Sequence, residues 1–305
     1  MSTINKPLVS VVIITYNSAR FVTKTLESVK TQSWQNIELI VSDDCSTDDT
    51  VTICLEWISE NSDRFSAVKL ITVPQNSGVS SNCNRGFRAA SGEWVKMIAG
   101  DDVLMKNCIT DNLDYIDRYP EAAFIVSDIR EIDENGSILR DKVFNEGLAY
   151  FSNIRSARRQ LKAYSRWPAF LNTPTFFCNR ELIEKVGYCD EDFMIYEDMT
   201  MVFRIIENKN RLHYMKRPTV EYRVHRNAIS RNAKMNGLRE KEALKVFEKY
   251  CTKNLSIYNP LDLSVYYEAW LRFKFKGLNG HKGDSLLRKL SVFYWYMRYQ
   301  GVKSY

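Results

Sequence analysis

From Pro7 the chain reads PLVSVVIITYN, a β-branched apolar run that ends in a tyrosine and an asparagine. A run with so little polar alternation predicts a strand buried on both faces. SARFVTKTLESVKTQ follows, with Val22, Leu26 and Val29 at helical spacing behind Asn17 or Ser18, residue types that favour helix N-caps. The unit then repeats. IELIV leads through SDDCSTDD into a helix with Val51, Cys54, Leu55 and Ile58 on one face, and VKLITV leads through PQNSG into another with Val79, Cys83 and Phe87. EWVKMIA supplies a fourth strand. Strands alternating with amphipathic helices predict an α/β fold, its mostly parallel sheet covered by helices on both faces.

In such sheets ligands bind outside the carboxyl ends of the strands. Those ends carry Thr15-Tyr16-Asn17, Asp43-Asp44, Asn76-Ser77-Gly78 and Asp101-Asp102. Adjacent carboxylates repel unless a cation or hydrogen-bond donors sit between them. For Asp101 and Asp102 two accounts stand: a metal ion, or the capping of a helix that starts near Val103. There is no GxGxxG and no GxxxxGK[ST], so neither dinucleotide nor P-loop chemistry is indicated. Phosphates would therefore arrive with a divalent metal, and oxygen ligands select Mg²⁺ or Mn²⁺. Tyr16 offers a ring for a base to stack on, and Asp43 an acceptor for a base N–H. These parts point to a metal-dependent nucleotide site.

Bulk properties narrow the picture. With 305 residues and 45% apolar composition the chain can bury one large core, or a core plus a smaller unit. No apolar run is long enough to span a membrane, and MSTINKPLVS lacks the layout of an export signal, so a cytoplasmic protein is expected. Seven scattered cysteines without a CxxC fit reduced thiols. The net charge of +6 is uneven: residues 221–305 hold 17 Lys or Arg against 7 Asp or Glu. From residue 236 the chain reads as helical, with Leu238, Ala243, Val246 and Phe247 marking an apolar side. YYEAWLRFKFKG and LLRKLSVFYWYMRYQGVK then interleave rings with basic residues. That composition suits a helix lying on an anionic membrane surface, and equally a packed helix with a solvated basic face. No nucleic-acid motif is present, and no nucleic-acid partner is expected.

Further along, FMIYEDMTMVFRII places Glu197-Asp198 at the start of a helix whose apolar face carries Met201, Val202 and Ile205. Acidic residues in a first turn complement the helix dipole. They are also the residue type a general base requires. Trp167 and Phe176 read as core or as rings that stack on a ligand, residues 129–165 as a loop or lid beside the site, and His213 and His281 as structural.

Taken in order, SVVIITYN, IVSDDCSTDDT, NSGVSSNCNRG, IAGDD and YEDMTMVFRI resemble the successive motifs of family 2 glycosyltransferases over about residues 7–232. The resemblance implies a GT-A (Rossmann-like) fold, with a nucleotide-sugar half about 1–128, an acceptor half about 129–232, and a helical basic and aromatic extension over 233–305. It implies inverting transfer of a sugar from a nucleotide-diphosphate donor with Mn²⁺ or Mg²⁺. Thr15 and Tyr16 would line the base pocket and Asp43 would meet the base, with Asn17, Asp44, Asn76 and Gly78 completing the donor-binding set. Asp101 and Asp102 would contact ribose and metal, Asp102 being the first choice of direct ligand. His225, between Arg223 and Arg226, would approach the metal or diphosphate, with Arg223 and Ser230 in the same region. Asp198 would be the general base. Two positions depart from the pattern: Ala99 stands where an Asp is common, and Cys83 where an Arg is common.

The expected activity is transfer from a UDP-sugar to a hydroxyl of a surface polysaccharide or lipid-linked saccharide, on the inner face of a cell membrane. The alternatives are a non-catalytic binding or scaffold subunit of the same fold, and a nucleotidyltransferase. TYNSARFV lacks the phosphate loop that a nucleotidyltransferase would need.

Overall fold

The computed structural model of the chain describes residues 6–168, 171–226, 228, 235–274 and 287–302. Strands β1 (Val9–Thr15), β2 (Ile37–Asp43), β3 (Ala67–Ile71) and β4 (Trp94–Ala99) lie parallel in the order β3-β2-β1-β4. Beyond β4 the sheet becomes mixed. In chain order come β5 (Val103–Leu104), β6 (Phe124–Ile132), β7 (Ile138–Val143), β8 (Phe177–Asn179) and β9 (His213–Arg223). β8 runs antiparallel to β4 and to β6, β9 lies parallel to β6, and β5 pairs antiparallel with β9 at the far edge. β7 forms a hairpin with β6.

The first strand shows why its apolar run has few gaps. Val9, Val11 and Ile13 enter one core and Val12 the other, so both faces demand apolar side chains. β4 divides likewise, with Trp94 and Ile98 on one side and Val95 and Met97 on the other. Helices α1 (Val22–Lys30), α2 (Thr50–Asn61) and α4 (Cys108–Arg118) cover the first face. Helices α3 (Val79–Ala89), α5 (Glu146–Ser152), α6 (Ala157–Arg166), α7 (Arg180–Lys185) and α8 (Glu197–Glu207) cover the second.

The C-terminal region is helical: α9 (Asn236–Val246), α10 (Pro260–Lys274) and α11 (Val292–Tyr299). Val246, Tyr250 and Cys251 extend the second core, while Val265, Phe293, Met297 and Val302 form a satellite core beside Tyr150 and Trp167. Asp262 of α10 is fully buried and paired with Lys162 and Arg166 of α6, the latter at 2.7 Å. Burial alone would raise the Asp262 pKa, and these two cations with the Ser256 N–H reverse that and hold it low. Among the described residues no helix is long and apolar enough to cross a membrane. All seven cysteines are free thiols.

Several local expectations need correction. Neither Asn17 nor Ser18 caps α1 with its side chain; the cap position is Phe21, and the Ser18 carbonyl accepts the Phe21 and Val22 N–H groups. The buried face of α2 is Thr50, Cys54 and Trp57, and Leu55 is 54% exposed. Trp57 takes an inward position, and its indole N–H donates to Glu27 Oε1 on α1 at 2.6 Å. Residues 129–165 are not a loop; they hold the end of β6, the β7 hairpin arm, α5 and most of α6. No helix begins near Val103, because Val103 and Leu104 pair with Glu221 and Val220 of β9 and α4 starts only at Cys108. Phe176 is core, packed edge-on against Phe124. His281 and Ser230 lie outside the described residues.

His213 is buried on β9 against Tyr115, and its Nε2 has no hydrogen-bond partner among the described residues. Burial, then the nearby Arg211 charge, pushes its pKa down to about 4. A histidine kept neutral in the fold favours unfolding once the unfolded chain takes up a proton. Its contribution is therefore lost as pH falls from about 6.5 toward about 4. The stability difference between the parent and His213→Leu should vary with pH in that window and be flat above it, measured by urea unfolding; a difference that is constant across the window contradicts the assignment.

Candidate functional site

Register brings the strand ends together. Thr15 lies opposite Asp43, and Ile14 opposite Ala99, so the loops after β1, β2 and β4 leave the sheet at one edge. Thr15 Oγ1 donates to Asp43 Oδ2 at 2.7 Å, and Ser46 gives that carboxylate its backbone N–H at 2.8 Å and its hydroxyl at 2.5 Å. The two loops interlock: Asn17, at φ 51°, accepts the Thr47 N–H at 2.8 Å and gives its own N–H to Ser46 Oγ at 2.8 Å. Tyr16 is left 51% exposed above this platform. Asp43 is 1% exposed and has three internal donors, which fixes its orientation and leaves little acceptor capacity unused.

Asp44 has a different task. Its carboxylate accepts the Gly78 N–H at 2.8 Å, the Ser77 hydroxyl at 2.7 Å and an Arg85 N–H at 2.6 Å. Burial would raise its pKa, and these donors, Ser77 foremost, overturn that and hold it low. Gly78 sits at φ 89°, where an L side chain is strained, and Asn76 Oδ1 also accepts its N–H. Asp44 therefore builds the 76–78 turn, and its oxygens are not presented to the edge.

The loop after β4 turns at Gly100, where a Cβ would meet Thr15 Cγ2 at 2.8 Å; only a glycine lets the loop approach β1 this closely. Asp101 and Asp102 then diverge. Asp102 is 2% exposed, and its Oδ1 accepts the Arg223 N–H at 2.8 Å. Burial, then the neighbouring Asp101 charge, pushes the Asp102 pKa well above the usual carboxylate range. Asp101 keeps an outward carboxylate whose Oδ2 lies 2.8 Å from His225 Nε2, and the imidazole leans on the Phe21 ring. Of the pair, Asp101 is the more exposed. The Arg223 guanidinium faces inward, donating to the carbonyls of Asp101 at 2.7 Å and Asp133 at 3.0 Å.

Asp198 opens α8. Its Oδ2 accepts the Thr173 hydroxyl, and its Oδ1 the Met199 N–H at 2.6 Å. β8 runs antiparallel to β4, with Phe177 opposite Lys96, so the residues just before β8 return toward the carboxyl end of β4. Thr173 thereby ties Asp198 to the same edge as Asp101. Burial raises the Asp198 pKa; Glu197 rises to about 8 through burial and the Asp198 charge. Cys83 is fully buried nearby, and its thiol is held protonated by contact with Cys189, by burial and by the Glu197 and Asp198 charges. No cation stands where the family pattern often has one.

Sequence reasoning missed Thr173, Arg85 and Lys96. A lysine within EWVKMIA is the one visible signal: Lys96 is fully buried and donates to the Pro174 carbonyl, bracing the turn that holds Thr173. Burial lowers its pKa to about 8. Among the described residues no three His, Cys, Asp or Glu side chains form a ready metal cage.

Comparison with known proteins gives a sequence-family match over residues 10–187, to the family described as Glycosyl transferase family 2. A glycosyltransferase of Rickettsia typhi, itself uncharacterized, is 25% identical over 78% of this chain and 70% of its own length. Another curated relative is matched over only 23% of its length. Among solved structures, S. aureus TarS 1–349 in complex with UDP-GlcNAc superposes with a TM-score of 0.63 at 18% identity, covering 93% of this chain and 79% of that one. The mannosyltransferase PcManGT from Pyrobaculum calidifontis, in complex with GDP-Man and Mn²⁺, gives 0.58 at 17% identity, covering 99% and 88%. These likenesses establish a shared GT-A-type fold.

Asp44→Asn should lower stability by about 2–4 kcal/mol, because Arg85 loses its charged partner and the turn amides lose an anionic acceptor. Chemical denaturation measures this directly; a loss below about 0.5 kcal/mol, the range of an ordinary surface change, contradicts the role given to Asp44.

Proposed function

The chain belongs to glycosyl transferase family 2, and from that premise we propose that it moves a sugar, with inversion, from a nucleoside-diphosphate donor to a hydroxyl of a glycan or lipid-linked saccharide. The carrying observation is the gathering of Tyr16, the Asp101–His225 pair and Asp198 at one sheet edge. A UDP-sugar is the first choice of donor. In this reading residues 1–232 form the transferase unit, and the helical remainder supports it.

A divalent cation fits the donors available. Asp101 presents carboxylate oxygen beside an imidazole nitrogen. Mg²⁺ and Mn²⁺ commonly take one or two carboxylates and complete their shell with water and substrate phosphates, so this small donor set suits them. When bound, the metal neutralises charge that develops on the departing diphosphate. Tyr16 stacks on the base, and the Asp43 platform fixes the loop that carries it.

Inversion needs the acceptor hydroxyl to attack opposite the diphosphate, with a base to take its proton as oxocarbenium character develops. Asp198 suits that task. The Thr173 and Met199 bonds orient its carboxylate, and burial raises its proton affinity, which a base working near neutral pH requires. Toward the C-terminus, Trp295 at 57% and Tyr299 at 87% exposure lie among basic residues, which supports a membrane-surface contact and a lipid-linked acceptor.

Asp198→Asn should lower kcat by about a hundredfold or more while UDP affinity in Mn²⁺ stays within about twofold. Nucleotide release from UDP-GlcNAc and from GDP-mannose is the readout. The base must be deprotonated, so the parent's kcat should fall as pH drops through a pKa above the ordinary value near 4. Near-normal turnover in the variant contradicts the base assignment.

A further inference from the structure

Helix α9 buries an acid on a face whose other buried side chain is Val246, one turn on. Glu242 is 5% exposed, and each carboxylate oxygen accepts a backbone N–H from the loop opposite: Oε1 from Met194 at 2.7 Å and Oε2 from Ile195 at 3.0 Å. Burying a carboxylate is costly, and an apolar residue would serve the packing of α9 without that cost. The carboxylate answers instead to the loop, whose two adjacent N–H groups would otherwise lack these acceptors.

That loop runs directly into Glu197 and Asp198. The C-terminal region grips it elsewhere too. Lys249 and Tyr250 hold the Asp190 carboxylate at 2.6 and 2.5 Å, and Lys245 donates to the Asp192 carbonyl at 2.9 Å. On its other side Ser80 of α3 donates to the Phe193 carbonyl, and the Met194 side chain lies 3.6 Å from where a Cβ on Gly78 would stand. The segment thus lies between the 76–78 turn and α9, and Glu242 holds its last residues before α8.

We propose that Glu242 is a positioning residue for the transfer reaction: by fixing the Met194 and Ile195 amides it sets where α8 begins, and so where the Asp198 carboxylate points. The inference rests on the reading of Asp198 as base. It also gives the C-terminal region a part in catalysis, because the Glu242 side chain of α9 holds the two amides just ahead of the helix that carries the base.

Glu242→Gln keeps the shape but turns an NH₂ toward one of the two amides. Amide exchange at Met194 and Ile195 should then quicken by about tenfold or more. The kcat for hydrolysis of UDP-GlcNAc or GDP-mannose should fall by about tenfold or more, with UDP affinity in Mn²⁺ kept within about twofold. Glu242→Asp keeps the charge but shortens the reach, so the same losses are expected; it serves as the test should the Gln variant fail to fold. Val246→Ala loosens the same helix without touching the loop bonds, and should lower the melting temperature while leaving kcat unchanged. Unchanged exchange or unchanged kcat in the Glu242 variants overturns the proposal, as does a parallel fall of kcat and UDP affinity. If Asp198→Asn is inactive while Glu242→Gln turns over normally, this inference alone falls; if Asp198→Asn is active, the base reading falls with it.

Discussion

A buried arginine makes the acidic edge possible. Arg223 is 1% exposed, and its guanidinium holds the Asp101 carbonyl while its backbone N–H holds the Asp102 carboxylate. It also grips the Asp133 and Glu134 carbonyls at the hairpin tip and covers the Phe21 ring. Two neighbouring carboxylates would otherwise repel and swing toward water. With Asp102 drawn inward by Arg223, Asp101 is left facing out beside His225. One inward and one outward acid gives the edge a single, oriented anionic group in place of two competing ones.

The same logic of satisfied acids recurs around the edge. Asp43 locks the loops after β1 and β2, Asp44 builds the 76–78 turn with Arg85, and Glu242 holds the approach to α8. Each of these carboxylates is buried and hydrogen-bonded at both oxygens, which fixes it as part of the frame. Asp101 and Asp198 differ in kind. Asp101 pairs with His225 and is partly exposed, and Asp198 has its pKa raised by burial with two donors to aim it. In the proposed reading, the groups offered to ligand or proton are distinct from those that build the frame.

Much of this was legible from periodicity. The strand–helix repeats placed β1 to β4 and the edge, because burial on both faces leaves long apolar runs and ligand-bearing residues collect where those runs end. What escaped was the direction of individual side chains. Asp43 and Asp44 are adjacent in sequence, yet one locks a loop beneath Tyr16 and the other turns toward Arg85; residue type alone does not separate them. The motif does not show that the Asp102 carboxylate turns inward, because that depends on Arg223, more than a hundred residues away in the chain. Thr173 and Glu242 carry no local signature, since their roles arise only when β8 returns beside β4 and α9 packs on the second core. On α2, Trp57 and not Leu55 turns inward, where its indole bonds Glu27 on another helix.

The most direct test of the central claim is thermal unfolding of the parent chain with UDP, GDP or dTDP, each with and without Mn²⁺. A ligand at about 100 times its dissociation constant stabilises the native state by about 2.7 kcal/mol, a readily measured shift. The Asp101 edge as described predicts that one nucleotide raises the melting temperature, and that it does so only when Mn²⁺ is present. A folded sample that shows no shift with any nucleotide, with or without the metal, contradicts it.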